Sequence, residues 1–290
     1  MLIRYRLLII LLACSFLFKC KKQHDSATPE IRGINFDLLI KTVDKYSNGE
    51  SITTYSYNNS NQLIQENSVR EFTDGTKWKV MNNWYRNSQS RVDSMKSEYT
   101  YGTDPTGLQK LYYNYDASGR LTYNMLYRNI NNPVSSIDSC VYTYSGGLVT
   151  KRLDYTSAKS TILNHTLTHE IYYQYDTSKN IAAITFVNYD FSGGAPAHKD
   201  TVILSYAYDN KKNPYQNDAF YEYFVNFAID TYVSTNNIIQ ILYNGASSAN
   251  YKDEFTFQYN VANKPDRVFV SSLGRGPSQT TTWTTDYYYD

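Results

Sequence analysis

Tyr113-Asn114-Tyr115-Asp116-Ala117-Ser118-Gly119-Arg120-Leu121-Thr122 is the stretch on which the reading of the chain turns. Two tyrosines at i and i+2 lie on one face of an extended strand. Asp116 is of the type preferred at the first position of a type I turn, and Gly119 suits the fourth. Leu121 then restarts an extended run. Ten residues thus encode strand, tight turn and strand.

The unit recurs along the chain. Related stretches are Tyr55-Ser56-Tyr57-Asn58, Trp84-Tyr85-Arg86-Asn87, Tyr142-Thr143-Tyr144-Ser145, Tyr173-Gln174-Tyr175-Asp176, Tyr206-Ala207-Tyr208-Asp209, Phe257-Gln258-Tyr259-Asn260 and the terminal Tyr287-Tyr288-Tyr289-Asp290. The turn anchors fall at 58, 87, 116, 145, 176, 209, 260 and 290, with spacings of 29, 29, 29, 31, 33, 51 and 30. A fixed period is the mark of a repeat architecture. About 29 residues hold two strands of about ten residues and two turns. Seven anchors that open hairpins, plus a final strand, predict about 15 strands or slightly more in an antiparallel meander. Connections this short cannot make parallel crossovers, and a sheet this wide curls or closes. The predicted fold is therefore all-β, a strongly curved sheet or water-soluble barrel. In it Tyr57, Tyr115, Tyr144, Tyr175, Tyr208 and Tyr259 occupy equivalent strand-end positions, each next to its turn residue.

Composition agrees. Of 290 residues, 31 are Tyr, and Asn, Ser and Thr are abundant while good helix formers are sparse, a mixture of strand and turn formers. Net charge is +1 for the whole chain; without residues 1–19, which hold Arg4, Arg6 and Lys19, 25 bases face 27 acids, or −2. No basic stripe remains, so the electrostatic footprint of a nucleic-acid partner is missing.

The N-terminus reads as an address. Arg4 and Arg6 precede Leu7 to Phe18, an apolar stretch too short to span a bilayer and right for the core of a signal peptide. A cysteine at its end turns a secretory signal into a lipoprotein signal. Cys14 follows the small residue Ala13 but leaves a short apolar core; Cys20 ends a full-length one and opens Cys20-Lys21-Lys22, although Lys19 departs from the small-residue rule. Cys20 is the expected lipidated residue, with Cys14 the alternative. The expected layout is a signal peptide over 1–19, a lipid-anchored tether over 20–34 and the repeat domain over 35–290. The membrane is then a partner through the anchor, and the cell envelope, at the outer membrane, is the expected location. With only Cys140 in the domain no internal disulfide is expected, and Cys140 reads as a small buried hydrophobe.

Tyr115-Asp116-Ala117-Ser118-Gly119-Arg120-Leu121-Thr122 resembles the YD repeat of Rhs-type proteins, although the match is full only there. The aromatic-x-aromatic-Asp hairpins behind a lipoprotein leader, with Asn213-Pro214 and Asn236-Asn237 before the last strands, resemble a family of bacterial lipoproteins of unknown function with a porin-like fold. The likeness spans most of residues 35–290. It implies a many-stranded curled sheet or barrel, and no activity. The 51-residue spacing holds an insertion, about 213–240, which reads as a loop or short helix capping one end of the sheet.

A membrane pore is disfavoured by where charges fall. In Leu63–Phe72, Glu71 lies on one face and Glu66 and Arg70 on the other; Lys96 and Glu98 oppose Asp93; Lys151 opposes Arg152 and Asp154. Only Ile181–Tyr189 is apolar on both faces, and it is expected to be the most buried strand. A lipid-facing row cannot hold charges this often.

Chemistry-bearing clusters are few. His165, His169 and Glu170 have ligand-like types, but on a strand i and i+4 stand about 13 Å apart, so exposed strand residues are the expectation. Asp138, Asp154, Asp190 and Asp230 admit a carboxylate-pair reading for glycoside hydrolysis. Ser145-Gly146-Gly147 and Ser192-Gly193-Gly194 read as turns, with no helix after them to make a phosphate loop. No catalytic residue, metal or cofactor is expected. The tyrosine rows are either packed between strands or a platform for sugar rings. The resulting expectation is a non-catalytic binding module for a glycan or an envelope protein, with a ligand-free envelope scaffold as the alternative and a glycoside hydrolase or a pore behind it.

Overall fold

A computed structural model describes residues 38–102, 104–128, 137–157, 166–190, 197–215, 234–245, 251–273 and 280–289. Cys14, Cys20 and the segments 1–19 and 20–34 lie outside the described residues, as do His165, Asp230, Ser192-Gly193-Gly194 and most of the insertion.

Sixteen strands are found among the described residues: β1 Leu39–Tyr46, β2 Gly49–Tyr57, β3 Leu63–Phe72, β4 Lys77–Arg86, β5 Val92–Tyr101, β6 Asp104–Tyr115, β7 Leu121–Arg128, β8 Ile137–Ser145, β9 Leu148–Ser157, β10 Thr166–Tyr175, β11 Ile181–Asp190, β12 Ala197–Lys212, β13 Asn236–Gly245, β14 Tyr251–Tyr259, β15 Pro265–Leu273 and β16 Thr280–Tyr289. Each pairs antiparallel with the next, and β16 pairs with β1 through Leu39↔Tyr289 to Lys45↔Thr284, so the meander closes into a barrel. The count agrees with the expected fifteen or slightly more. The strand beyond fifteen is β1, which stands before the first anchor and turns at the opposite rim, where the repeat leaves no mark. An even number lets the first and last strands meet antiparallel.

Five of the turns are superimposable in chemistry. Asn58, Asn87, Asp116, Asp176 and Asn260 accept a hydrogen bond at their carbonyl from the residue three ahead and donate their own N–H to the carbonyl four ahead, at 2.9–3.1 Å. Their side chains complete the turn: Asn58 Oδ1 accepts from the Ser60 and Gln62 N–H groups, Asp176 Oδ1 from Ser178 and Asn180, and Asn260 Oδ1 from Ala262 and Lys264. The fourth residue is left-handed each time: Asn61, Ser90, Gly119, Lys179 and Asn263, with φ between 57° and 85°. A register shift follows at the same point of each pair, between Ser56 and Tyr57 or Asn114 and Tyr115 for example. This is the bulge that a type I turn with a left-handed residue builds into a hairpin. Ser145 departs from the pattern, because its turn is the pair Gly146-Gly147, both at positive φ.

The second motif tyrosine fastens each hairpin to its neighbour. The hydroxyls of Tyr57, Tyr115, Tyr144, Tyr175, Tyr208 and Tyr289 donate to the carbonyls of Leu39, Val92, Leu121, Val149, Ile181 and Pro265, at 2.7–2.9 Å. Each acceptor lies at the start of the preceding strand. Arg86, which replaces the tyrosine in its unit, reaches the Leu63 carbonyl with Nη2. The basic residue ending a turn then lies over the next unit's ring: Arg91 over Tyr115, Arg120 over Tyr144 and Lys264 over Tyr289, 5.2–5.7 Å from the centroids. The need for a phenol oxygen to find a partner thus explains Tyr at this position.

Register separates the two faces of the wall. Leu39, Leu63, Trp84, Val92, Leu111, Tyr113, Leu126, Val268, Val270 and Tyr287 form one buried cluster; Cys140, Tyr142, Val149, Ile171, Tyr173, Ile181 and Ile184 form another. Both occupy the barrel interior. Tyr215, just past β12, meets Tyr287 of β16 edge-on at 6.1 Å, and with inward residues of β13 to β16 it lines a cavity of about 150 Å³. The first motif tyrosines are therefore core. Strand β11 is not the most buried: Ile181 and Ile184 are enclosed, but its outward Ala183, Thr185 and Val187 are half-exposed. Among the described residues, its outward neighbours are another row of barrel wall.

The insertion is narrower than expected, because β12 runs to Lys212 and β13 begins at Asn236. Its neck is tied. The Asn213 N–H donates to the Thr235 carbonyl at 3.0 Å, and Asn213 Nδ2 to that of Ser234 at 3.1 Å. Asn180 and Asn236 exchange two bonds at 3.0 and 3.1 Å. Asp209, an anchor without a tight turn after it, instead accepts from Lys211, Asn237 and Tyr259.

Candidate functional site

Beyond the apolar clusters, the barrel interior gathers charged residues. Cys140, Asp154, His169 and Asn188 form one inward row across β8 to β11. Arg152 Nε and Nη2 donate to the two Asp154 oxygens, both at 2.7 Å, and His169 Nδ1 stands 3.9 Å from Asp154. Arg128 Nε donates to Asp138 Oδ2 at 2.6 Å, and Thr156 Oγ1 to its other oxygen at 2.7 Å. Two of the four carboxylates of the hydrolase reading, Asp138 and Asp154, thus have their oxygens engaged by wall residues, while Asp190 ends β11 at the rim. Glu66, beside Asn82 at 3.4 Å, has its carboxyl pushed up by burial. Burial also lifts the Cys140 thiol far above its ordinary range, with Asp154 adding to it, which keeps it a buried thiol.

His169 and Glu170 part company. His169 points inward, whereas Glu170 is outward, bonded to the hydroxyls of Tyr172 and Tyr189 and paired with Lys151 at 2.9 Å. They cannot share a ligand.

The outer wall carries the more open chemistry. Tyr112 is one residue out of phase with the inward Tyr113 and Tyr115, so it faces out. On β6 and β7, Lys110, Tyr112 and Asn114 stand directly opposite Tyr127, Met125 and Tyr123. These six side chains line a groove of about 560 Å³. Tyr112 is 37% exposed and meets Tyr127 edge-on, with centroids 5.7 Å apart and planes at 87°. Lys110 Nζ lies 4.7 Å from the Tyr112 centroid. Burial, with Tyr127 alongside, raises the Tyr123 phenol above its usual value, so at neutral pH it is a hydrogen-bond donor. The groove offers ring faces at its centre and an amide and an ammonium at its sides.

The repeat residues do not form this site. Tyr57, Tyr115, Tyr144, Tyr175 and Tyr208 hold strand ends, Tyr259 joins Asp209 and Asn237, and Asn58, Asp116, Asp176 and Asn260 close turns with Gly119 left-handed among them. Of the two readings of the motif tyrosines, packing is the one observed. The exposed tyrosines were not singled out from sequence, although their odd phase relative to the motif is a usable signal.

Charges also dot the outward face. Lys96, Glu98, Lys110 and Lys151 all point out, as do Glu71 and Lys77, paired at 2.9 Å. Arg or Lys facing hydrocarbon costs about 2–4 kcal/mol at the midplane.

No family model matches the chain, and no curated protein does. Among solved structures, a porin-like protein from Bacteroides uniformis is similar, with a TM-score of 0.52 and 11% identity over 86% of this chain and 94% of that one. A second porin-like protein, from Bacteroides vulgatus, gives a TM-score of 0.47 and 11% identity over 88% and 99%. At this identity the first likeness establishes the fold: a porin-like, many-stranded antiparallel barrel.

Proposed function

We propose that the chain is a lipid-anchored, non-catalytic binding module of the bacterial envelope and that its ligand is a glycan. The exposed grid of Tyr112, Tyr123 and Tyr127 between Lys110 and Asn114 carries this reading. A sugar ring presents an apolar face that stacks on an aromatic and an edge of hydroxyls that needs hydrogen bonds, and the groove supplies both. The engaged interior carboxylates support a module without catalysis. Outward charges on most strands favour a barrel standing in water and held to the outer membrane by lipid at Cys20.

Two measurements test it. Titration of chito-, cello- and manno-oligosaccharides of four to six residues against the protein should give binding that falls at least tenfold in the Tyr112→Ala/Tyr127→Ala variant; no binding to any of them overturns the glycan reading. Membrane partition should be lost in Cys14→Ser/Cys20→Ser, with Cys20→Ser alone sufficient. Unchanged partition in the double variant defeats the anchor.

A further inference from the structure

Charge is spread unevenly around the outer wall. On β2 to β5 the outward residues include Glu50, Glu71, Lys77, Lys79, Lys96 and Glu98. On the far side of the ring, over β8 to β13, the described outward residues between the rims include two charges, Lys151 and Glu170. These two neutralise each other at 2.9 Å, and the hydroxyls of Tyr172 and Tyr189 donate to the same carboxylate. The other charged residues described on these strands point inward or stand near a rim, as Asp190, Lys199 and Lys211 do.

What faces out instead is largely apolar and aromatic. One row runs through Thr143, Lys151, Tyr172, Thr185, Ile203 and Asn244 across the six strands. On one side of it Val141, Leu153 and Val187 flank Glu170, and on the other Ala183, Ser205 and Leu242 lie in line. Val141, Tyr172, Ile203 and Leu242 are 37–41% exposed. Six strands at the usual spacing make this face about 24 Å wide, and a continuous apolar face marks an interaction surface.

Shape and charge select the partner. A face whose two charges cancel offers nothing to a charged macromolecule. The wall of a closed barrel curves away around its circumference, so a second copy or another rigid globule would meet it along a few strands and leave the rest wet. A lipid layer is uncharged below its headgroups and deforms to follow a convex wall. Tyr172 and Tyr189 suit that boundary, because a ring with a hydroxyl at its edge settles at headgroup level. The Lys151–Glu170 pair and the hydroxyls of Thr143, Thr185 and Ser205 keep the contact shallow, since full immersion in hydrocarbon would strip them of water.

We infer that the β8–β13 side of the barrel rests on the lipid surface, sunk to the depth of the headgroups, while β2 to β5 face water on the far side. The inference rests on the proposed membrane location and is independent of the glycan groove.

The test uses the lipidated protein on vesicles of phosphatidylethanolamine and phosphatidylglycerol, with a bimane fluorophore on Ile203→Cys, Leu242→Cys or Lys79→Cys. Cys140 is buried and stays unlabelled. On Ile203→Cys and Leu242→Cys the label should be quenched by lipids with a nitroxide near the headgroup and shielded from aqueous iodide; on Lys79→Cys iodide alone should quench it. Ile203→Glu/Leu242→Glu, read by a label on Thr185→Cys, should regain iodide quenching, with membrane partition and oligosaccharide titration as in the wild type. Iodide quenching at all three positions, in protein that still partitions to the vesicles, overturns the seating and leaves the anchor standing. Quenching by the nitroxide lipids at all three overturns a one-sided contact. Shielding from iodide without quenching by those lipids gives the face to a protein, a second copy included, and overturns the lipid assignment. A wild type that does not partition overturns both the seating and the membrane location.

Discussion

Asn61, Ser90, Gly119, Lys179 and Asn263 hold the same left-handed place in five turns, but only one of them is glycine. A left-handed residue with a Cβ costs about 1–2 kcal/mol, least for Asn. Two substitutions should therefore move in opposite directions. Gly119→Val should lower stability by about 1–3 kcal/mol, since a β-branched residue is strained at φ +85°; the Arg91 side chain that a new Cβ would meet can move aside. Lys179→Gly should raise stability by about 1 kcal/mol. Thermal melts of both variants check the pair, and equal melting temperatures would remove the shared geometry. Tyr175→Phe, which deletes the bond to the Val149 carbonyl, should cost about 1 kcal/mol. These residue-scale features were largely legible. Asp116 and Gly119 announced the turn, and the recurrence of Tyr-x-Tyr announced equivalent strand ends. The partner of each phenol was hidden, because the acceptor is a backbone carbonyl on the preceding strand and bears no side-chain signal.

Strands and their connections were legible on one rim only. The anchors sit at the tight-turn rim, so the hairpins there could be counted, while β1 turns into β2 between Tyr46 and Gly49 without any motif and fell in the margin above fifteen. The insertion's lower bound could be read from Asn213-Pro214, but its upper bound fell within β13, whose Ile238 and Ile241 already face the core. Its neck makes a prediction of its own. Asn180 is 2% exposed and bonded to Asp176 and Asn236, so Asn180→Ala should cost about 2 kcal/mol, the range for stranding buried polar partners. The seam between β16 and β1 makes another. Asp286 bonds to Arg267 and Lys45, and these bonds hold its carboxyl below the ordinary range. A carboxyl whose value is lower in the folded chain stabilises it above the unfolded value, near pH 4, and that contribution disappears as pH falls through the folded value. Asp286→Asn should flatten the acid limb of the stability profile below about pH 4; an unchanged limb would place acid sensitivity elsewhere.

At the level of the whole molecule, closure was the feature that no stretch of sequence contained. It depends on β1 meeting β16, more than 200 residues away, and on an even strand count. The candidate site was harder to see for a related reason: Tyr112 and Tyr113 are adjacent and identical, and only the phase of the Tyr-x-Tyr motif separates the outward ring from the inward one. A closed wall has no free edge, and opening it creates two. A chain ending before Thr280 should therefore expose the edges of β1 and β15 and aggregate, as light scattering would show. A monodisperse truncated chain would mean that closure is dispensable.

Most turns are fastened to the unit before them by a phenol on a carbonyl, three with a cation over the ring as well, and this frees the copy number of the repeat. An in-frame duplication of one 29-residue unit adds two strands in the same antiparallel order and lengthens the circumference by about 10 Å. Loss of a unit shortens it equally. Relatives with rings of fourteen or eighteen strands instead of sixteen are thus a single recombination away, with the Leu39 and Tyr289 junction passed on unaltered.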